Sequence, residues 1–515
     1  MIDLLALLLR GIAAAGGAVA LGGVVYVLVV LRPGPGTDRA IGRTLTLATV
    51  GAGLAAVAQA ATLAITLAVL ADVRVTLADA LRTHWLLAGL GRTAALAATA
   101  LLACLVRHTP PSSLAWLALV IAAVAGVASA GATSHAAARV SAREWAVALN
   151  AVHQIAVAVW VGGLVHLLAT WPPRADALRR FSTVALTAVA TLAATGTGLA
   201  VLHVGGLGAF GTSYAAMLLT KVLVFAGLVG VAAVNRAAVR RMPHDAPPPP
   251  LRVRRFVEVE VGVAVTLVFV AASLSSAPPA VDVADRATLS EVAARLTPRW
   301  PTLTSPTFAE LAQASPFDDR EAPRTEADRG WSEFNHNVAG LFVLAMGVLA
   351  VLERSGRAPW ARAWPLLFIG LSVFLLFRSD PGHWPFGPVG FWESVTTRSD
   401  VVQHWFLDAL PALFGVLEWL QRIGRLPTRP WGYVFPLLSA VGGGLLLAHA
   451  HQLTDLKETF LMEISHLPLG ALGILVGWSR WLELRLPPPD AQRAGRVWSP
   501  ALALIGLLLV LYRER

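Results

Sequence analysis

The stretch "DLLALLLRGIAAAGGAVALGGVVYVLVVL", residues 3–31, decides how the rest of the chain is read. Its charged side chains are Asp3 and Arg10, and it runs well beyond the roughly 18 apolar residues that a membrane-crossing helix needs. It lacks the basic leader and the small-residue cleavage site followed by polar sequence that mark a removable signal. It is therefore expected to remain as a first helix. The apolar segments lack the alternating pattern, about 10 residues at a time, that a β-barrel requires.

The same pattern recurs along the chain. The 515 residues are 56% hydrophobic and 14% charged, with a mean hydropathy of +0.65, where a soluble protein carries roughly 25% charged residues. About 14 apolar segments follow one another, near 3–31, 44–70, 84–106, 113–134, 144–170, 179–203, 214–236, 256–276, 333–353, 362–378, 401–421, 431–450, 458–484 and 498–512. The expectation is an all-α, polytopic transmembrane bundle surrounded by lipid bilayer.

The net charge of +10 is almost entirely arginine, since Lys221 and Lys457 are the only lysines. The arginines sit in short loops such as "RPGPGTDRAIGR", "WPPRADALRRFS" and "ERSGRAPWARAW". That is a topogenic distribution, which places those loops in the cytoplasm and both termini outside. Nucleic acid is accordingly not an expected partner. Cys104 is the single cysteine, so one chain offers neither a disulfide framework nor a thiolate cage.

Residues 277–332 interrupt the apolar pattern with a stretch rich in Pro, Asp and Glu. They read as an external linker or small cap between an eight-helix domain, 1–276, and a six-helix domain, 333–515.

On this topology ten of the thirteen histidines fall toward the outer side: His84, His135, His153, His203, His336, His383, His404, His449, His451 and His466. His108, His166 and His244 fall toward the inner side. In "WSEFNHNVAG" Glu333 and His336 stand three apart, and in "FLMEISHLPLG" Glu463 and His466 repeat that spacing, with Met462 four before the histidine. Residues three and four apart share a helix face, so each pair can approach one ion, as paired Glu-x-x-His motifs do in helical bundles. Asp400, His404 and Asp408 form a further stripe, and His449 and His451 lie where a helix ends. A single histidine at a membrane interface is usually structural. The set His336, His404, His449, His451 and His466, with Glu333, Glu463 and Met462, instead predicts a metal or haem centre on the outer face.

In the first half, His153 and His166 are 13 residues apart, about 20 Å along a helix. They cannot ligate one ion and would mark two stations across the membrane. Lys221, with Met217 one turn away, lies inside an apolar segment, where an ionisable group is a functional suspect or a snorkelling one. Glycine-rich stretches such as "AAAGGAVALGG" and "WVGGLVHLL" predict close helix packing. No phosphate-binding loop, dinucleotide fingerprint or nucleophile elbow is present, so a transport or binding protein is expected over an enzyme.

The segment "HQIAVAVWVGGLVHLL" and the run from "RRFSTVALTAVATLAATGTGL" to "YAAMLLTKVLVFAGLVGVAAVNR" resemble the copper resistance protein D (CopD) family of bacterial membrane proteins. The shared features are His-x6-Trp-x-Gly-Gly, Arg-Phe-Ser, a central Thr-Gly, Tyr-x5-Thr-Lys and a closing Asn-Arg, over roughly residues 144–276. The second half looks like the extension found in longer members. The resemblance implies copper handling at the bacterial inner membrane, with copper or a periplasmic copper carrier as partner. It also implies His135, His153, His203 and Lys221 as core positions. Two alternatives stay open at this point: a haem b or other metal-dependent redox protein, with His404 joined to His449, His451 or His466, and an accessory subunit of a larger membrane complex.

Overall fold

The computed structural model describes residues 2–109, 113–134, 137, 142–243, 250–314, 324–397, 399–448 and 456–514. It is 82% helix, with no strand among the described residues and one isolated bridge between His383 and Val389. Among the described residues thirteen helices are long and apolar enough to cross a membrane. The protein is a polytopic helical bundle because a backbone in lipid must satisfy its polar groups within each segment.

The described chain divides into two compact units. One comprises Ile2–Ala209 and Met217–Ala284; the other comprises Phe210–Ala216 and Asp285–Arg515. The spans α1 (Leu5–Leu31), α2 (Asp38–Asp72), α3 (His84–Leu105), α4 (Leu114–Thr133), α5 (Arg143–Ala169), α6 (Ala175–Val204), α7 (Ser213–Arg240) and α8 (Leu251–Leu274) build the N-terminal unit, to which α7 contributes from Met217 onward.

Glycine decides where α1 and α5 meet. A Cβ at Gly22 would lie 2.5 Å from Ala158 O, and one at Gly162 would collide with Ala18 O, so the two backbones touch through bare glycines. Both helices widen to π geometry nearby, at Tyr26–Leu31 and Ala158–Gly162. The arginines inside the apolar runs find neutral partners here. Arg92 donates to Gln59 at 2.9 Å and to Gly126 O at 3.3 Å, and Arg10 donates to Ser276 at 2.7 Å.

The C-terminal unit holds α9 (Glu326–Arg354), α10 (Pro359–Arg378), α11 (Ser399–Arg422), α12 (Trp431–Ala448), α13 (Leu456–Arg485) and α14 (Asp490–Val510). Helix α9 starts seven residues earlier than its apolar run suggests, because a capping box nucleates it there. The Thr325 hydroxyl accepts from Asp328 N at 3.2 Å, and the Asp328 carboxylate accepts from Thr325 N at 2.8 Å. Helix α11 forms where a segment was expected near 401–421. It is not among the thirteen spans, and it carries His404, Asp408, Pro411 and Glu418 along its length.

Residues 285–305, with the helix Leu289–Leu296, belong to this unit. Arg295 donates to Leu461 O at 2.8 Å, Lys457 pairs with Glu291 at 2.6 Å, and Thr302 N donates to Asn337 at 2.7 Å. The polar interval is thus laid against the starts of α9 and α13.

The other ends of these helices hold a network that no spacing argument anticipates. Arg422 pairs with Glu353 and with Glu418 (2.9 Å to the latter), Arg480 with Glu418 and Glu483 (2.9 and 2.7 Å), and Arg354 with Glu483. Three arginines thus balance three glutamates. The guanidinium of Arg422 lies 4.9 Å from the Trp364 ring centroid. Buried charges persist only when paired in this way.

Candidate metal centre

His336 sits near the start of α9 and His466 near the start of α13, and the fold brings them face to edge. Their ring centroids are 5.6 Å apart with a 74° interplanar angle. With metal–nitrogen bonds of about 2.0–2.1 Å, two imidazoles on one ion have centroids at most roughly 6 Å apart, so this separation suits a shared ion.

One nitrogen of each ring is engaged by the backbone. His336 Nδ1 lies 2.8 Å from Ser332 O, and His466 Nδ1 lies 2.8 Å from Met462 O, each one helical turn back. A carbonyl can only accept, so each Nδ1 carries the proton. In the neutral imidazole that places the lone pair on Nε2. This is the tautomer control exerted by outer partners in metal sites.

Tyr512, just beyond α14, closes this arrangement. Its ring stacks on His336 at 4.0 Å and lies edge-on to His466 at 5.7 Å. Its hydroxyl donates to Glu514 at 2.6 Å, and Glu514 also accepts from Ser332 at 2.7 Å and pairs with Arg324 at 2.6 Å. Burial and then the neighbouring Glu514 carboxylate push the Tyr512 phenol well above its ordinary value, so it stays protonated. Burial opposes ionisation of Glu514, but Arg324 and the other partners outweigh it and hold the carboxyl below its ordinary value.

Of the expected carboxylate ligands, Glu333 is committed elsewhere. Glu333 is 1% exposed and is held by Arg513 and by Thr302 (2.8 Å), so it does not join His336 as its three-residue spacing suggested. The reason is electrostatic: a buried carboxylate takes the nearest cation. The Met462 thioether accepts from Arg324 at 3.1 Å. Glu463, 5% exposed, is buried on the same helix as His466. His404 pairs with Asp380 at 2.9 Å and is half exposed, and Asp408, one turn further along the same helix, accepts from Ser379 at 2.7 Å. His449, His451, His135 and the Asp400 side chain lie outside the described residues. Among the described residues no group of three His, Cys, Asp or Glu side chains is gathered for a metal ion.

In the N-terminal unit, His153 Nδ1 lies 3.0 Å from the Thr195 hydroxyl. That hydroxyl already donates to Thr191 O at 2.7 Å, so it accepts from the histidine. His203 Nδ1 is 2.8 Å from Leu199 O. His166 is fully buried; its Nε2 donates to Val19 O at 2.8 Å through the gap left by Gly23, and its Nδ1 has no hydrogen-bond partner. Tyr26 lies over His166 at 6.0 Å and is hydrogen-bonded to Thr170 at 2.9 Å. Met217 is 2% exposed, and no carboxylate among the described residues pairs with Lys221.

Tyr512, Glu514, Arg324 and Arg513 escaped the motif reading. They lie in short polar stretches at the edges of apolar runs, where nothing local distinguishes them from ordinary interface residues.

Residues 175–274 match the family model described as copper resistance protein D. This segment spans α6 to α8, starting later than the residue 144 expected from the motifs, and the His336–His466 pair lies outside it. No curated protein and no solved structure matches the chain. The chain is a multi-pass helical membrane protein, and the match over residues 175–274 supports its assignment to the copper resistance protein D family.

Proposed function

We propose that this protein handles copper at a bacterial inner membrane, binding the ion at the His336–His466 pair and passing it on by ligand exchange. The observation that carries this reading is the pair itself: two imidazoles on different helices, 5.6 Å apart, each with its Nδ1–H tied to a carbonyl. Imidazole suits copper in either oxidation state, and the family match supplies the link to copper. In this proposal residues 449–455, which carry His449 and His451 and lead directly into α13, contribute further ligands. The donor would be free copper or a periplasmic carrier.

The test is metal analysis and absorption spectroscopy of the purified, detergent-solubilised protein beside a His336→Ala/His466→Ala variant. Near-stoichiometric copper in the wild type, lost in the variant, is expected. Copper retained in full by the variant would remove the pair from the site, and a Soret band lost in the variant would replace copper with haem.

A further inference from the structure

Glu260 is a buried carboxyl that the metal site does not use. It stands on α8, nine residues and about 14 Å beyond Leu251, and is 4% exposed. It accepts a hydrogen bond from the side-chain amide of Asn235 on α7, itself 8% exposed. Around these helices lies an aliphatic cluster that includes Leu228, Val253, Val257 and Ala264.

Among the described residues no Lys, Arg or His forms an ion pair with Glu260. Several charged groups on the packed elements have other partners. On α8 itself, Arg255 and Arg254 hold Glu258; on α7, Arg236 donates to the hydroxyl and carbonyl of Ser182. Arg10 of α1 holds Ser276, and His166 of α5 holds Val19 O. Lys221 is fourteen residues from Asn235 along α7, about 21 Å.

A carboxylate facing only a neutral amide among aliphatic side chains is costly within a membrane span, and such groups mark proton or ion pathways. The chain also carries no nucleotide-binding motif to power movement, so an ion gradient is the remaining source of drive. We propose that Glu260, held by Asn235, is the proton-exchange group of the N-terminal unit. It carries a proton at rest and releases it when a cationic cargo passes. The carboxyl O–H bond breaks, the proton leaves to water, and the carboxylate faces the cation. Once the cargo has moved on, a proton from water restores the acid. Coupling to cargo rests on the copper-transport reading; proton binding by Glu260 does not.

The experiment uses the full chain in lipid vesicles. Infrared difference spectra between neutral and alkaline pH are compared for the wild type, Glu260→Gln and Asn235→Leu. Uptake of copper ions is then followed with and without an imposed pH gradient. The expected result is a protonated-carboxyl band that is absent in Glu260→Gln and shifted in Asn235→Leu. Wild-type uptake should change several-fold with the gradient, while Glu260→Gln binds copper normally and ignores the gradient. Absence of the band at neutral pH overturns the proposal, and so does a Glu260→Gln variant that responds to the gradient as the wild type does. Uptake that proceeds in the wild type with no gradient response overturns the coupling and leaves copper transport standing. No uptake under any condition overturns both.

Discussion

His336 and His466 each bond the carbonyl one turn back, a contact open to many helical histidines. What distinguishes them is that two such rings fall within reach of one ion, with Tyr512 between the phenol's own anchor at Glu514 and the imidazole face. The spacing of Glu333 and His336 did not reveal that Arg513 holds the carboxylate. Glu291 gives a sharper residue-level test. The Lys457 ammonium, then the Thr288 backbone and hydroxyl, hold its carboxyl down to about 2. A depressed carboxyl contributes stability that is present above its unfolded value of about 4.3 and is lost as pH falls toward 2. Lys457→Ala is expected to raise the Glu291 titration toward the ordinary carboxylate range, read by carbon-13 NMR of labelled glutamate. An unchanged titration would show that the Thr288 cap alone sets it.

Among the elements, α9 shows how a local signal can outrank hydropathy. The apolar run begins near 333, but Thr325 and Asp328 start the helix at Glu326, which brings Ser332 into position to bind Glu514. The Thr-x-x-Asp pattern that does this was available in the sequence. The α1–α5 contact is a second case in which sequence and structure agree, since the glycine-rich stretches predicted close packing. Gly162→Ala places a methyl against Ala18 O and should cost about 1–3 kcal/mol, the usual range for overpacking. Thermal unfolding in detergent measures it. A melting temperature equal to that of the wild type would mean that the helices part without penalty.

Across the whole molecule, the two units carry different kinds of polar chemistry. The described N-terminal spans hold, beside the ion pairs of Glu258 and Asp176, several groups bound to neutral partners: His153 to Thr195, Arg92 to Gln59, Glu260 to Asn235. The C-terminal unit gathers its charges into balanced networks at both ends of its helices. If copper passes His153 and then His166 on its way inward, His153→Ala and His166→Ala should each lower copper accumulation by intact cells. Accumulation equal to the wild type in both would remove that route and leave binding at His336 and His466 intact. Composition and hydropathy establish the helical, membrane-spanning architecture without reference to any contact, because a lipid-facing backbone must close its own hydrogen bonds and only long apolar segments can do so. Which of the thirteen histidines approach one another, and which carboxylates are left to meet them, depends on side chains far apart in sequence competing for the same buried cations. Arg513 and Glu333 are 180 residues apart, and Tyr512 reaches His336 across a similar separation. Pairings of that kind have no local spacing to announce them, so they were settled only when the helices packed.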